Sequence, residues 1–462
     1  MLLTALSALL GAAPARADGS FPQARQILLR QDRPEQIVLV TNFGLIFSED
    51  GGKTWLFSCE QGLSAYAGPY LLGAAPSNRI FGVAAGAGLI YSDDDSCSWQ
   101  AAGGAFSGVL PYAFTVDPAT AQRVYAIGVP RDDYRNGDSI YVSNDGGLSF
   151  GQPVFTSPAR SALLSVLVAP SRPSRLFATM FSTPENHPSL LRSDDSGEHW
   201  TVAADLVESL GENPFELLAI DPLDEDRLYV RILGASAETL ATSDDGGLSF
   251  IPSLSIPGKL NAFLKLATGT ILVGGTAGKE AVGYRSKDGG QSFEPWPGAP
   301  HVHALAERNG KLYVTGDSYA DGYAIAESDD EGAHLRPLAR FDQVQAVKSC
   351  VANLCADSCA YHAGIGLWPE AVCGTAGTSP SVNDADGGAA PDMAASDVAA
   401  GAPGGVESGQ ARRPRISGGG CRCGWVPRRR VEDWTALLIL GAMLVGRRVR
   451  RVPRGTRPVE NV

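Results

Sequence analysis

Residues 243–250 read Ser243-Asp244-Asp245-Gly246-Gly247-Leu248-Ser249-Phe250, and their pattern decides the fold because it recurs. SEDGGKTW stands at 48–55, SDDDSCSW at 92–99, SNDGGLSF at 143–150, SDDSGEHW at 193–200 and SKDGGQSF at 286–293. A decayed copy, SDDEGAHL, closes the series at 328–335. Every copy keeps a first Ser and an Asp two places on: Ser48 and Asp50, Ser92 and Asp94, Ser143 and Asp145, Ser193 and Asp195, Ser243 and Asp245, Ser286 and Asp288, Ser328 and Asp330. Gly holds the fifth place except at Ser96. An aromatic ends six copies (Trp55, Trp99, Phe150, Trp200, Phe250, Phe293), and Leu335 ends the seventh.

The chemistry of the unit is that of a tight turn. An Asp carboxylate accepts backbone N–H groups across such a turn. Gly supplies a backbone angle that other residues reach only at a cost. The hydroxyls can tie the two arms together, and the aromatic is the first large residue of the next strand. Apolar strand endings precede the turns, as in Leu45-Ile46-Phe47 and Ile140-Tyr141-Val142, so each turn joins two strands of a hairpin. Upstream, an apolar strand ends in Asp-Pro or Ala-Pro, followed by Arg and apolar residues, as in Arg227-Leu228-Tyr229-Val230. That makes four strands per repeat.

The repeat resembles the Asp-box, or BNR repeat, of sialidases, sortilin-like receptors, xyloglucan hydrolases and photosystem assembly-factor-like proteins. The resemblance covers residues 22–347 and implies an all-β, seven-bladed β-propeller with four-stranded antiparallel blades. Eight blades are the alternative if residues 348–373 add strands. Ring closure removes sheet edges, so the segment near Gln26-Ile27-Leu28-Leu29 or that near Val344-Gln345-Ala346-Val347 should complete a blade shared by both ends.

The domain reading is a signal peptide at 1–17, a propeller at 18–347, a Cys-rich disulfide segment at 348–373, a disordered Gly/Ala/Ser/Pro linker at 374–420, and a tail at 421–462. The leader has an apolar run from Leu2 to Ala13 and a small-x-small site, Ala15-Arg16-Ala17. The linker is too poor in large apolar residues to offset its ordering entropy. The tail holds Cys421 and Cys423, the apolar run Trp434–Gly446 and a terminal Arg cluster. In that order it resembles the myxobacterial C-terminal sorting tail. The leader implies signal peptidase as a processing partner; the tail's resemblance implies a sorting protease and attachment through Cys421 or Cys423. A plain membrane anchor through the short hydrophobic helix is the alternative.

Net charge is −12, but residues 411–462 carry 13 Arg and three acids, leaving the body strongly acidic. Such a body repels phosphates and excludes nucleic acid as a partner. Seven copies of one Ser/Asp pair round a ring are structural, because a catalytic site needs one constellation. No cofactor or metal site is read; the pair His301 and His303 lacks a third ligand, and no catalytic residue is assigned. A sialidase would need an Arg-Ile-Pro motif, whereas Arg33-Pro34 here lacks the middle residue. Xyloglucan hydrolases use a cleft between two propellers, and this chain has room for one.

Exported chains can hold disulfides. Cys350, Cys355, Cys359 and Cys373 are expected to form a small knot after the propeller, in any of three pairings, with a zinc site including His362 as the rival. Cys59 and Cys97 are then a candidate inter-blade pair. The turns at 48–55 and their equivalents share one end of the blades, and longer loops lie on the opposite face. Those loops expose Arg131, Asp132, Asp133, Tyr134, Arg135 and Asn136; Glu185, Asn186 and His187; and Tyr319 and Asp321, as candidate ligand residues. The functional expectation is a non-catalytic, exported, surface-anchored monomer that binds a protein or glycan. A secreted glycoside hydrolase and a structural surface-layer component are the alternatives.

Overall fold

The structure, a computed structural model, describes residues 21–60, 70–77, 79–84, 88–130, 137–374 and 376–377. The segments read as a signal peptide, a linker beyond 377 and a tail with Cys421 and Cys423, and the loop residues Arg131, Asp132, Asp133, Tyr134, Arg135 and Asn136, lie outside the described residues.

Seven antiparallel four-stranded blades follow one another along the chain. Blade one is Ala24–Leu28, Ile37–Thr41, Gly44–Ser48 and Leu56–Cys59. Blade two runs from Leu71–Leu72 to Gln100–Ala101, blade three from Val109–Val116 to Phe155–Thr156, and blade four from Ser161–Val168 to Thr201–Asp205. Blade five runs from Phe215–Asp221 to Ile251–Ile256, blade six from Lys259–Lys265 to Glu294–Pro295, and blade seven from Ala304–Arg308 to Arg336–Ala339. First strands lie side by side from blade two to blade five and from blade six through blade seven to blade one, on the inner wall of the ring.

The middle strands are apolar on both faces because each face meets a neighbouring blade. Ile37–Thr41, Gly44–Ser48 and Ile80–Ala84 are buried throughout. The core is accordingly seven clusters, one in each seam. One joins Val38, Val40 and Phe47 to Tyr70 and Ile80 of blade two. Another joins Phe177 and Leu190 of blade four to Phe215, Leu228 and Phe250 of blade five.

The seventh seam differs. After blade seven, Ala346–Lys348 adds in parallel to the outer strand Leu56–Cys59 of blade one, and Ala376–Gly377 adds outside that. Both chain ends therefore share blade one, the N-terminal strand innermost and the C-terminal strands outermost. Residues 348–373 add no eighth blade: Ala352–Gly364 is a helix. Its Cys355 and Cys359 join Phe43, Phe57, Phe341 and Trp368 in the seam cluster between blades seven and one.

The cysteine expectation is corrected here. Cys59 bonds Cys355, Cys97 bonds Cys350, and only Cys359–Cys373 is internal to the C-terminal segment. Cys59 and Cys97 do not pair, because each faces a different point on the C-terminal segment. The zinc alternative is spent, since those thiols are all in disulfides. His362 is buried, with Nδ1 2.7 Å from the Ser358 carbonyl and its ring against Phe43 and Trp368.

Candidate functional site

Both faces of the ring carry polar side chains, and the turn face uses its own up. In the turn at 243–250, the Ser243 hydroxyl donates to Asp245 Oδ1 at 2.7 Å and accepts the Gly247 N–H at 2.9 Å. Asp245 also accepts the Ser249 N–H at 3.0 Å and the Ser249 hydroxyl at 2.6 Å. The Ser–Asp bond recurs at Asp50, Asp94, Asp145, Asp195, Asp288 and Asp330. Where the seventh residue is His199 or His334, its Nδ1 replaces the hydroxyl, 2.6 Å from the carboxylate. Partial burial raises the Asp245 carboxyl pKa, but the bonds from Ser249 and Ser243 outweigh it and hold the group below its ordinary value. At Asp288 the Ser292 hydroxyl, then the Ser292 N–H, has the same effect.

The fifth-position Gly is needed twice over. Gly247 has φ +81°, and a Cβ there would lie 2.1 Å from Leu190 of the preceding blade. The exception, Ser96, keeps φ at +72° and donates its hydroxyl to Ser58 of blade one. The eighth-position aromatic packs behind: Trp55, Phe150 and Phe250 are buried, while Trp99, Trp200 and Phe293 are half-buried. Arginines starting the second strand grip the second residue of the turn, as Arg79 does Asp93, Arg175 does Asp194 and Arg227 does Asp244. Arg79 and Arg175 also reach the next blade, at the Gly146 carbonyl and Asp226. Asp195, Glu198 and His199 are the one group of metal-capable side chains gathered within 4.8 Å among the described residues, and they are exposed.

The opposite face is built differently. The inner strands of five blades carry a one-residue bulge, at one level in blades one, three, four and six and two residues nearer the turn face in blade five. The extra residues are Arg25, Tyr112, Leu164, Leu218 and Asn261. Bulges re-aim side chains, so the wall carries a cation, a phenol, an amide and Leu164 at one height, with Leu218 nearer the turn face. None of these was legible as a site residue, since no residue type marks a bulge. Tyr112 hydrogen-bonds Asp138, whose Oδ2 also accepts the Leu163 N–H at 2.8 Å. Burial raises that carboxyl above its ordinary value. Between blades five and six, buried Glu238 takes Lys259 at 3.0 Å and the Leu260 N–H at 2.8 Å, and Arg231 bridges it to Glu216.

The described loop candidates fall in two places. Glu185 accepts the Ser182 hydroxyl at 2.7 Å, and His187 Nε2 lies 3.1 Å from Asp205, both on the hairpin of blade four. Asp321 is an organiser of blade seven. It accepts the Asp317 and His301 N–H groups at 2.7 and 3.0 Å and sits 3.0 Å from His301 Nδ1. The Asp321 hydrogen bond, outweighing burial, raises His301, whose Nε2 faces the Lys279 carbonyl. Burial lowers His303. His301 is thus engaged at both ring nitrogens, by Asp321 and by the Lys279 carbonyl. Tyr319 is 65% exposed and packs edge-on against Phe21.

Among known proteins, no family model matches the chain. No curated relative matches it either. Solved structures do match. YCF48 from Cyanidioschyzon merolae is 13% identical with a TM-score of 0.47, over 63% of this chain and 92% of that one. The GH74 xyloglucanase from Xanthomonas campestris is 16% identical with a TM-score of 0.35, over 69% of this chain and 60% of that one. PorZ, a bacterial surface component of the type-IX secretion system of Porphyromonas gingivalis, is 12% identical with a TM-score of 0.44, over 69% of this chain and 38% of that one. Blade count and strand order above rest on the chain's own pairing, not on these likenesses.

Proposed function

We propose that the protein is an exported, surface-held, non-catalytic propeller that binds a protein or glycan through the face opposite its seven turns. The observation that carries this reading is the asymmetry of the two faces. On the turn face, the Ser and Asp of all seven turns are bonded to one another within their own turn. The loop face instead presents the exposed side chains of Arg25 and Asn261 and the rings of Phe21, Tyr112 and Tyr319. Rigid strands displaying varied side chains suit recognition. Export is supported by three disulfides, which persist in oxidising compartments. Surface attachment is supported by the sequence of the tail alone.

The purified full-length chain on a glycan array, with released sugars read by mass spectrometry and partners captured by cross-linking, tests the reading. Binding without release is the expected result. Silence in both arms would sink the binding role. Charge reversals at Glu185 and His187 that leave every contact intact would remove blade four from the surface.

One observation favours a hydrolase as the second reading. Asp138 is a carboxyl with a raised pKa in hydrogen-bond contact with a tyrosine, as a general acid would be. Sugar release abolished by Asp138→Asn would establish it.

A further inference from the structure

The three disulfides among the described residues are not equally open to solvent. Of their six cysteines, Cys59, Cys355 and Cys359 are 0% exposed, and Cys97 and Cys373 are half-buried. Cys350 alone is exposed. The Cys59–Cys355 cystine lies in the seam cluster with Phe57 and Trp368, and Cys355 Sγ accepts the Cys59 N–H at 3.1 Å. Exchange with a disulfide requires a thiolate to reach one of its sulfurs. Cys350 is where one can arrive.

The two segments that Cys97–Cys350 joins are also held without it. Lys348, two residues before Cys350, is buried, and its ammonium donates to the Asp95 carbonyl, two residues before Cys97, at 2.7 Å. It also lies 4.0 Å from the centre of the Phe47 ring. The Asp95 carboxylate accepts from Arg30 at 2.7 Å and from Arg33, both of blade one. The Ser96 hydroxyl donates to Ser58 at 3.0 Å. On the C-terminal side, Ala346 and Val347 pair with Leu56 and Phe57. Breaking this S–S bond therefore frees two side chains and leaves every strand in place.

We propose that Cys97–Cys350 is a thiol-exchange site, with Cys350 the sulfur attacked by an external dithiol and Lys348 the tether that keeps the opened pair in reach. One thiolate of the dithiol attacks Cys350 Sγ, the S–S bond breaks, and Cys97 leaves as a thiolate that takes up a proton. The second thiol of the dithiol, once deprotonated, attacks the dithiol's own sulfur in the mixed disulfide and releases Cys350, which is protonated in turn. Two electrons pass to the cystine, giving two thiols, and the dithiol ends as a disulfide. Cys59–Cys355 stays closed, so the ring keeps a covalent clasp while a reactive pair appears on its surface. The site does not depend on what the loop face binds.

The test blocks the free thiols of the full-length chain with N-ethylmaleimide, then applies graded dithiothreitol under native conditions. Opened cysteines are trapped with iodoacetamide and assigned by peptide mass spectrometry, which reads Cys421 and Cys423 apart from the six. Cys97 and Cys350 should label together and more than about tenfold faster than Cys59 and Cys355, whose attack needs a local opening first. In denaturant that difference should vanish, and its persistence there would refute burial as the cause. Given oxidised glutathione, protein opened at this pair should re-form Cys97–Cys350 and no other bond. Lys348→Met, of similar length but without the ammonium, should slow that closure about fivefold, the scale of one net hydrogen bond. If another cystine opens first, or all three open together, the exchange site is overturned. Mispairing on re-oxidation, or an unchanged closure rate in Lys348→Met, would overturn the tether.

Discussion

Removing Cys59–Cys355 should weaken the closure of the ring, and its size can be worked out. The disulfide alone spans 296 residues. With Cys97–Cys350 intact, the loop it adds runs only from Cys59 to Cys97 and from Cys350 to Cys355, about 43 residues. The chain-entropy relation then gives about 4 kcal/mol. Removing both disulfides frees the longer loop too and raises the sum to roughly 9 kcal/mol, an upper value, since measured disulfides give 2–4 kcal/mol each. Cys59 and Cys355 are fully buried, so Ala is the better replacement, because Ser would bury an unpaired hydroxyl. At about 2.1 cal/mol/K per residue over roughly 350 residues, 4 kcal/mol lowers the melting temperature by about 5 °C. Scanning calorimetry measures the shift, and hydrogen exchange should place the new opening in blades one and seven. An unchanged midpoint in the double-Ala protein, with exchange in those blades unaltered, would refute the idea that the C-terminal segment clasps the ring.

Two further outcomes follow from the turns. Gly247→Ala places a Cβ against Leu190 at positive φ and should cost about 2–5 kcal/mol by denaturant titration. Gly310→Ala, with φ +75° but nothing within 4 Å, should cost only about 1–2 kcal/mol. The turn carboxylates Asp50, Asp94, Asp145 and Asp245 sit below their ordinary values. Their contribution is therefore complete above the unfolded value near 4 and is lost as pH falls through the lower folded values. Melting temperature should drop below pH 4, and Asp245→Asn should make that drop shallower. A drop of the same steepness in that variant would count against the assignment.

The architecture was readable because each turn asks for particular chemistry at particular places: an oxygen at 243, a carboxylate at 245, a residue without Cβ at 247. No such demand marks the cysteines, whose pairing depends on distances the chain order hides. Yet one signal was present. Val351, Cys355, Cys359 and His362 recur at helical spacing, and a helix is what stands there, with those residues turned inward. Clustered cysteines suggested a knot and masked that period. The bulges at Arg25, Tyr112 and Asn261 were silent for another reason: they alter the register of pairing, which composition does not encode.

The clasp also decides how the molecule bears load. Eighty-five residues follow Gly377, and a pull on them meets first the parallel strand Ala346–Lys348, then the cystine Cys359–Cys373. From there tension enters blades one and two through Cys59 and Cys97, as covalent links. The hydrogen bonds that seat the C-terminal strand on Leu56–Cys59 lie in parallel with those links, not in series with them. Under force the rim of the ring behaves as a riveted joint, held at Cys59 and Cys97.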